Sequence, residues 1–324
     1  MADSFPYDGI EWVWMNGELV EFRKATVHVL THALHYGSGL FEGIRCYRRP
    51  GGPAVFRLEE HLKRLENSCK VYRMEIPYTR QELARAVCET IRVNGLEECY
   101  IRPIIYRGLG PVGINPLRSP VEVAIAVWPW GKYLGDEAQE KGVDVCVSSW
   151  RRPAAESWPV LAKATGNYLN AQLIKMEAIT DGYAEGIALD VRGNVSEGSG
   201  QNIFLVQDGA LYTPPLSASI LPGITRDAIL TLARDFGIPA FEHQIPRGQL
   251  YTCDELFFAG TAVEIAPIRT VDRIPVGDCK PGEVTRRLMA EFLGIIHGRV
   301  EDRHGWLVPL DGVAEPEPVQ RAEA

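Results

Sequence analysis

The chain has 324 residues, 46% of them hydrophobic and 23% charged, with a formal net charge of -8 at pH 7. That length suits about two domains of ordinary size, whose cores fold without disulfide or metal staples. The composition excludes a disordered chain, and the acidic balance argues against nucleic acid or an anionic membrane as a partner.

Taken in chain order, the first elements are extended. Segments 10–15 and 19–22 flank Asn16-Gly17, a pair that tolerates the positive φ of a tight hairpin. A second pair, 44–48 and 54–57, turns at Pro50-Gly51-Gly52, and Thr26 to Leu30 also looks extended. Leu58, Leu62, Leu65 and Cys69 then recur at helical spacing, and Thr79 with Glu82 forms a capping box that opens a helix ending near Asn94-Gly95. Strands over 98–106 and 121–128 close a small first domain, 1–128. Segment 129–141 lacks periodicity and is expected to be an interdomain loop. The second, larger domain, 142–308, is expected to carry strands at 143–148, 186–190, 202–206 and 256–259 and helices over 167–180, 224–236 and 282–296. Beyond Trp306 the chain turns rich in Pro, Glu and Ala, and a disordered tail is expected, 309–324 above all. Two α+β domains leave a cleft between them, the usual place for a small ligand.

Seven cysteines, an odd number without a C-x-x-C pair, argue against a disulfide framework and a zinc ribbon. The chain opens without a basic and apolar leader, and its long uncharged runs contain Pro and polar residues. A cytoplasmic location with no membrane segment is therefore expected.

Few residues stand out for chemistry. Lys163 is the only charge between Glu156 and Lys175. An amine so placed either reaches water from a helix start or stays partly desolvated and able to form a Schiff base. In Leu221-Pro222-Gly223-Ile224-Thr225-Arg226 a glycine and a threonine stand where a helix begins, which is either a plain cap or a phosphate cradle of free N–H groups. Gly260-Thr261-Ala262 offers a second, weaker set. Gly37-Ser38-Gly39 resembles a dinucleotide loop, but Glu42 occupies the place of the third glycine. His28, His32 and His35 have the spacing of ligands on one helical face, yet the glutamate of H-E-x-x-H is missing, so no metal is expected and hydrogen-bonded histidines are. No G-x-S-x-G elbow suggests a hydrolase.

Several stretches together, in order and spacing, carry a resemblance. They are residues 27–37, Phe41-Glu42-Gly43-Ile44-Arg45, Tyr100-Ile101-Arg102-Pro103, Ala162-Lys163-Ala164-Thr165-Gly166-Asn167-Tyr168, Ser196-Glu197-Gly198, residues 221–226 and Gly260-Thr261-Ala262. From His28 to Trp306 the sequence resembles the branched-chain amino acid aminotransferases of pyridoxal-phosphate fold type IV. The resemblance implies a two-domain α+β fold of the D-amino-acid-aminotransferase kind, whose larger domain holds a pseudo-barrel sheet. It implies transamination between Leu, Ile or Val and 2-oxoglutarate by a ping-pong mechanism.

It implies that Lys163 carries pyridoxal 5'-phosphate covalently and then, freed by substrate, moves the proton at the substrate α-carbon. Glu197 would face the pyridine nitrogen, Tyr168 the phenolic oxygen, and Arg64 the phosphate, beside Leu221, Gly223, Ile224, Thr225 and Thr261. Around the substrate it implies Phe41, Trp130 and Tyr133, with Arg102 for a γ-carboxylate and Tyr100, Thr261 and Ala262 for the α-carboxylate. Tyr36 would reach the pocket from the neighbouring subunit of a homodimer with shared active sites, open to further assembly. The loop 110–116 departs from the family pattern, which leaves side-chain preference open. D-amino-acid aminotransferases, (R)-amine transaminases and aminodeoxychorismate lyases share the fold, and a non-catalytic pyridoxal-phosphate binder would retain Arg64 and Thr225 without needing Tyr100 or Arg102.

Overall fold

A computed structural model describes residues 7–131, 134 and 137–313. Its first half comprises β1 (Trp12–Met15), β2 (Glu18–Glu21), α1 (His32–Tyr36), β3 (Gly39–Phe41), β4 (Ile44–Tyr47), β5 (Ala54–Phe56), α2 (Leu58–Val71), α3 (Arg80–Val93), β6 (Cys99–Arg107) and β7 (Val121–Trp128). The second half comprises α4 (Ala138–Lys141), β8 (Val143–Val147), α5 (Tyr168–Thr180), β9 (Glu185–Leu189), β10 (Val195–Gly198), β11 (Asn202–Gln207), β12 (Ala210–Thr213), α6 (Ile224–Asp235), β13 (Ala240–Glu242), β14 (Glu255–Gly260), β15 (Glu264–Val271), β16 (Ile274–Pro275), α7 (Glu283–Ile296) and β17 (Leu307–Pro309).

Eight strands form the first sheet, in the order β17-β5-β4-β6-β7-β1-β2 with β3 also on β6. Alternation along β6 decides which side chains reach the cleft. Cys99, Ile101 and Ile105 join the core under α2 and α3, so Tyr100 and Arg102 stand on the opposite face. Nine strands form the second sheet, β10-β9-β8-β15-β14-β11-β12-β13 with β16 on β15. Its central strands are apolar at nearly every position because both faces are buried. Phe204, Val206, Phe257 and Ala259 pack under α6 and α7, while Ile203, Leu205, Leu256 and Phe258 fill the concave interior. The sheet is thus a curled half-barrel around its own core.

Some expectations change. Thr26 to Leu30 forms no strand, and the turn after it winds into the short helix α1. Residues 307–313 are not a loose tail: β17 pairs with β5, Leu307 opposite Phe56, and Leu310 is buried in the first core. Strand β15 had no clear signal because Pro267 interrupts it. The proline sits just before the bulge between Ile268 and Thr270, where pairing with β8 begins and a missing N–H is tolerated. No helix among the described residues is long and apolar enough to cross a membrane.

The capping box is present: the Thr79 hydroxyl accepts from the Glu82 amide at 3.2 Å, and the Glu82 carboxylate accepts from the Thr79 amide at 2.7 Å. Thr79→Ala removes half of this reciprocal pair, with an expected loss of about 1 kcal/mol. Urea unfolding would read it as a lowered midpoint with unchanged slope; an unmoved midpoint would show that α3 does not depend on its cap.

Candidate active site

A cleft with a cavity volume of about 220 Å³ opens between the two sheets. Lys163 projects into it from a stretch without regular structure, and three contacts hold that stretch. The Lys163 amide donates to the Ser68 hydroxyl at 3.0 Å, the Phe41 amide donates to the Lys163 carbonyl at 3.0 Å, and Leu40 bridges Ala164. The ammonium is half-buried, donates to the Tyr168 hydroxyl at 2.6 Å, and lies 5.1 Å from the ring centres of Phe41 and Tyr168. Tyr168 opens α5, so a short stretch of chain carries amine and phenol to one point.

Glu197, on β10, also lines the cleft. Its carboxylate pairs with Arg152 at 3.1 Å and accepts from the Asn202 side chain and the Leu221 amide, each at 3.0 Å. Burial raises its carboxyl above the ordinary range, with the charges of Arg152 and Lys163 and the Leu221 amide opposing. A cationic partner in the cleft would relieve that desolvation.

Helix α6 begins behind Gly223, which caps it without a side chain, so the first-turn amides at Ile224 and Thr225 face the cleft wall. A Cβ at Gly223 would come 2.0 Å from Asn202 Oδ1, so a side chain there would push Asn202 off its bond to Glu197. Arg64, from α2, lines the same end of the cleft. Its Nε and Nη2 donate to the two oxygens of Glu42, each at 2.7 Å, and Nη1 donates to the Pro222 carbonyl at 2.9 Å.

At the other end Arg102 lies over the rings of Phe41, Tyr100 and Trp128, 4.7, 5.2 and 5.7 Å from their centres. Its Nε is buried without a hydrogen-bond partner, and among the described residues no carboxylate pairs with it. Trp130 packs on Tyr100 at 4.8 Å between ring centres. A Cβ on Gly43 would come 1.9 Å from the Tyr100 hydroxyl, so a side chain there would displace the Tyr100 ring. Thr261 and Ala262 line the cleft from the tight turn joining β14 to β15.

The cleft therefore gathers Phe41, Arg64, Tyr100, Arg102, Trp130, Lys163, Tyr168, Glu197, Leu221, Gly223, Ile224, Thr225, Thr261 and Ala262. It does not gather Tyr36, which is 45% exposed on α1, its ring 4.6 Å from His32. Tyr133 lies outside the described residues. Sequence reading missed Arg152, Asn202, Glu42 and His61. His61 alone had a usable signal: His61, Arg64 and Ser68 follow one another by three and four residues, a polar stripe on α2 that is as buried as its apolar one. The histidines of 28–35 are each hydrogen-bonded. His32 bonds Ser38 and the Gly113 carbonyl, His35 the Val29 carbonyl, and His28 accepts from the Leu30 amide.

A lysine amine, a helix start with free amides and a buried carboxylate thus share one cleft. These donors suit a pyridine aldehyde carrying a phosphate, and the unpartnered Nε2 of Gln201 among them leaves a donor to spare.

The family model described as amino-transferase class IV matches residues 39–271. The branched-chain-amino-acid aminotransferase of Salmonella typhimurium is 49% identical over 302 residues, covering 93% of this chain and 98% of the relative. The crystal structure of the Escherichia coli branched-chain amino acid aminotransferase superposes with a TM-score of 0.92 at 50% identity, over 93% of this chain and 99% of that one. The branched-chain aminotransferase of the thermophilic archaeon Thermoproteus uzoniensis, crystallised with norvaline, gives 0.88 at 43% identity, with coverage of 92% and 99%.

Because the Glu197 carboxyl is raised in the fold above its unfolded value, its ionisation costs stability, and the cost accrues as pH rises from the unfolded to the folded pKa. In cofactor-free protein, Glu197→Gln should therefore gain in melting temperature relative to the parent as pH rises from about 4 to about 7. A difference that stays flat or falls over that window contradicts the buried, raised carboxyl.

Proposed function

This chain belongs to the amino-transferase class IV family, and we propose that it exchanges amino groups between the L-branched-chain amino acids and 2-oxoglutarate with pyridoxal 5'-phosphate as cofactor. The products are branched-chain 2-oxo acids and L-glutamate. The observation that carries this reading is the amine of Lys163, held by Tyr168 in a cleft with a helix start and Arg64 at one end and an unpaired arginine among aromatic rings at the other. We take 1–128 as the small domain, whose sheet β17 completes, 142–306 as the large domain, and 129–141, with the short helix α4 at its end, as the link between them.

Bound there, the cofactor supplies an electron-withdrawing ring that stabilises negative charge at the substrate α-carbon. The amides of residues 223–225, the Thr225 and Thr261 hydroxyls and the Arg64 guanidinium hold its phosphate, a donor set suited to a dianion. Glu197 keeps a positive charge on the pyridine nitrogen, and the hydrogen bonds from Asn202 and Leu221 aim its carboxylate and favour its charged form against the cost of burial. Lys163 holds and moves the proton at the substrate α-carbon, with Tyr168 fixing the amine between transfers. Tyr100 and the turn at Thr261 and Ala262 hold the α-carboxylate.

Arg102 explains how one pocket serves two side chains. A guanidinium lying on aromatic faces presents an apolar wall to leucine and still has an unused fork for the γ-carboxylate of glutamate. The amino donor and the oxo acid occupy this pocket in turn. Phe41 and Trp130 complete its apolar side.

The working unit is a homodimer with shared active sites, in the cytoplasm. Val29, Leu34, Tyr36, Val112, Ile114 and Leu117 are large apolar side chains left exposed, Ile114 to 91%, and a partner subunit would cover them. The Thr31–Leu109 bridge and the bond from His32 to the Gly113 carbonyl tie α1 to the loop 110–116, so Tyr36 and this loop would enter the partner's cleft as one unit.

Lys163→Ala should bind cofactor without the visible absorbance of the covalent form and lose turnover of L-leucine with 2-oxoglutarate; unchanged absorbance or turnover contradicts the assignment. Faster turnover of D-alanine or (R)-1-phenylethylamine than of L-leucine by the parent would move the chain to another branch of the fold. Arg102→Leu should raise KM for 2-oxoglutarate by about tenfold or more, as expected for loss of a charged hydrogen bond, and leave KM for L-leucine within about twofold. Equal changes for both substrates would remove Arg102 from side-chain selection.

A further inference from the structure

Glu42 is fully buried at the junction of β3 and β4, directly behind the cleft-lining Phe41. A carboxylate so far from water is costly unless every oxygen is engaged, and here both are. Oε1 accepts from Arg64 Nε at 2.7 Å; Oε2 accepts from Arg64 Nη2 at 2.7 Å and from His61 Nδ1 at 2.8 Å. The guanidinium outweighs the burial and, with His61, holds the Glu42 carboxyl well below the ordinary range. His61 is fully buried too, and burial lowers its pKa against the opposing pull of Glu42; its Nδ1 faces the carboxylate and its Nε2 has no hydrogen-bond partner.

The pair fixes one edge of the Arg64 guanidinium. It leaves Nη1 free to donate to the Pro222 carbonyl, the residue before the Gly223 cap. A second arginine works alongside: Arg57 pairs with Glu60 and with Asp227 on the first turn of α6, 2.7 and 2.5 Å away. The polar stripe of α2 therefore joins the first sheet to the helix start that forms the anion cradle.

We infer that Glu42, backed by His61, is a positioning residue for the phosphate end of the cleft: it orients Arg64 so that one face grips the 222–225 turn and the remaining N–H groups meet a phosphoryl oxygen. This rests on the reading of Arg64 as a phosphate ligand. The charge of Glu42 opposes anion binding, so position and charge act in opposite directions on removing it. Were charge dominant, neutralising Glu42 would tighten phosphate binding; orientation requires the reverse.

Pyridoxamine 5'-phosphate and pyridoxamine, neither of which bonds covalently to Lys163, separate the two effects when their Kd values are measured by fluorescence quenching. Glu42→Gln should weaken pyridoxamine 5'-phosphate by about tenfold or more, the loss expected for a buried charge-assisted hydrogen bond, and leave pyridoxamine within about twofold. Binding as tight as or tighter than the parent's, or equal weakening of both probes, overturns the inference. Arg64→Ala, measured beside it, distinguishes the failures. If that variant keeps its affinity for pyridoxamine 5'-phosphate, the Arg64 assignment fails; if it loses affinity and Glu42→Gln does not, only the role of Glu42 fails. Should Glu42→Gln not fold, Glu42→Asp, which keeps the charge but withdraws it by one methylene, must show the same phosphate-dependent loss, and parental affinity in that variant overturns the inference.

Discussion

A lysine can act on a bound ligand only if its backbone is anchored while its amine stays free to swing, because the long side chain loses its aim if its root moves. Lys163 meets this condition with contacts from the first half of the molecule. Ser68 on α2 accepts from its amide, the Phe41 amide on β3 donates to its carbonyl, and the next residue, Ala164, bridges Leu40. The amine itself donates to the phenol of Tyr168. The root is fixed by the fold and the tip by an exchangeable hydrogen bond, the arrangement that proton transfer at a nearby carbon needs.

The charges around that amine are fixed on the same plan, each by a group behind it. Glu197 is held by Arg152, Asn202 and Leu221, and Arg64 by Glu42, which is held in turn by His61. Buried ions left alone would neutralise or turn away; ions with bound backs keep a face available to ligand. Arg102 is the exception, supported by aromatic faces and unpaired at Nε. A carboxylate there would pre-empt the very group that a glutamate side chain is to supply, so its absence among the described residues fits a pocket that accepts both an apolar and an acidic substrate.

Much of this was legible in the sequence because the signals were local. Alternation along Cys99–Arg107 placed Tyr100 and Arg102 on one face, and the Thr79 box and the apolar spacing from Leu58 to Cys69 gave two helices nearly to the residue. Arg152 and Asn202 were missed for the opposite reason. They act on Glu197 from well before it in the chain and from the far side of a turn, and nothing in their own neighbourhoods marks them. Glu42 was read chiefly as a departure from a glycine motif, since its partners lie on α2. The segment after Trp306 misled because its composition is that of a tail, while its pairing with Ala54–Phe56 is a tertiary fact.

One amine, that of Lys163, is proposed as the group to which the cofactor aldehyde bonds. Borohydride reduction of the holoenzyme followed by peptide mass spectrometry tests it directly. A single phosphopyridoxyl adduct is expected on Lys163, in the peptide spanning Ala162 to Tyr168; an adduct on another lysine, or none, would rule Lys163 out.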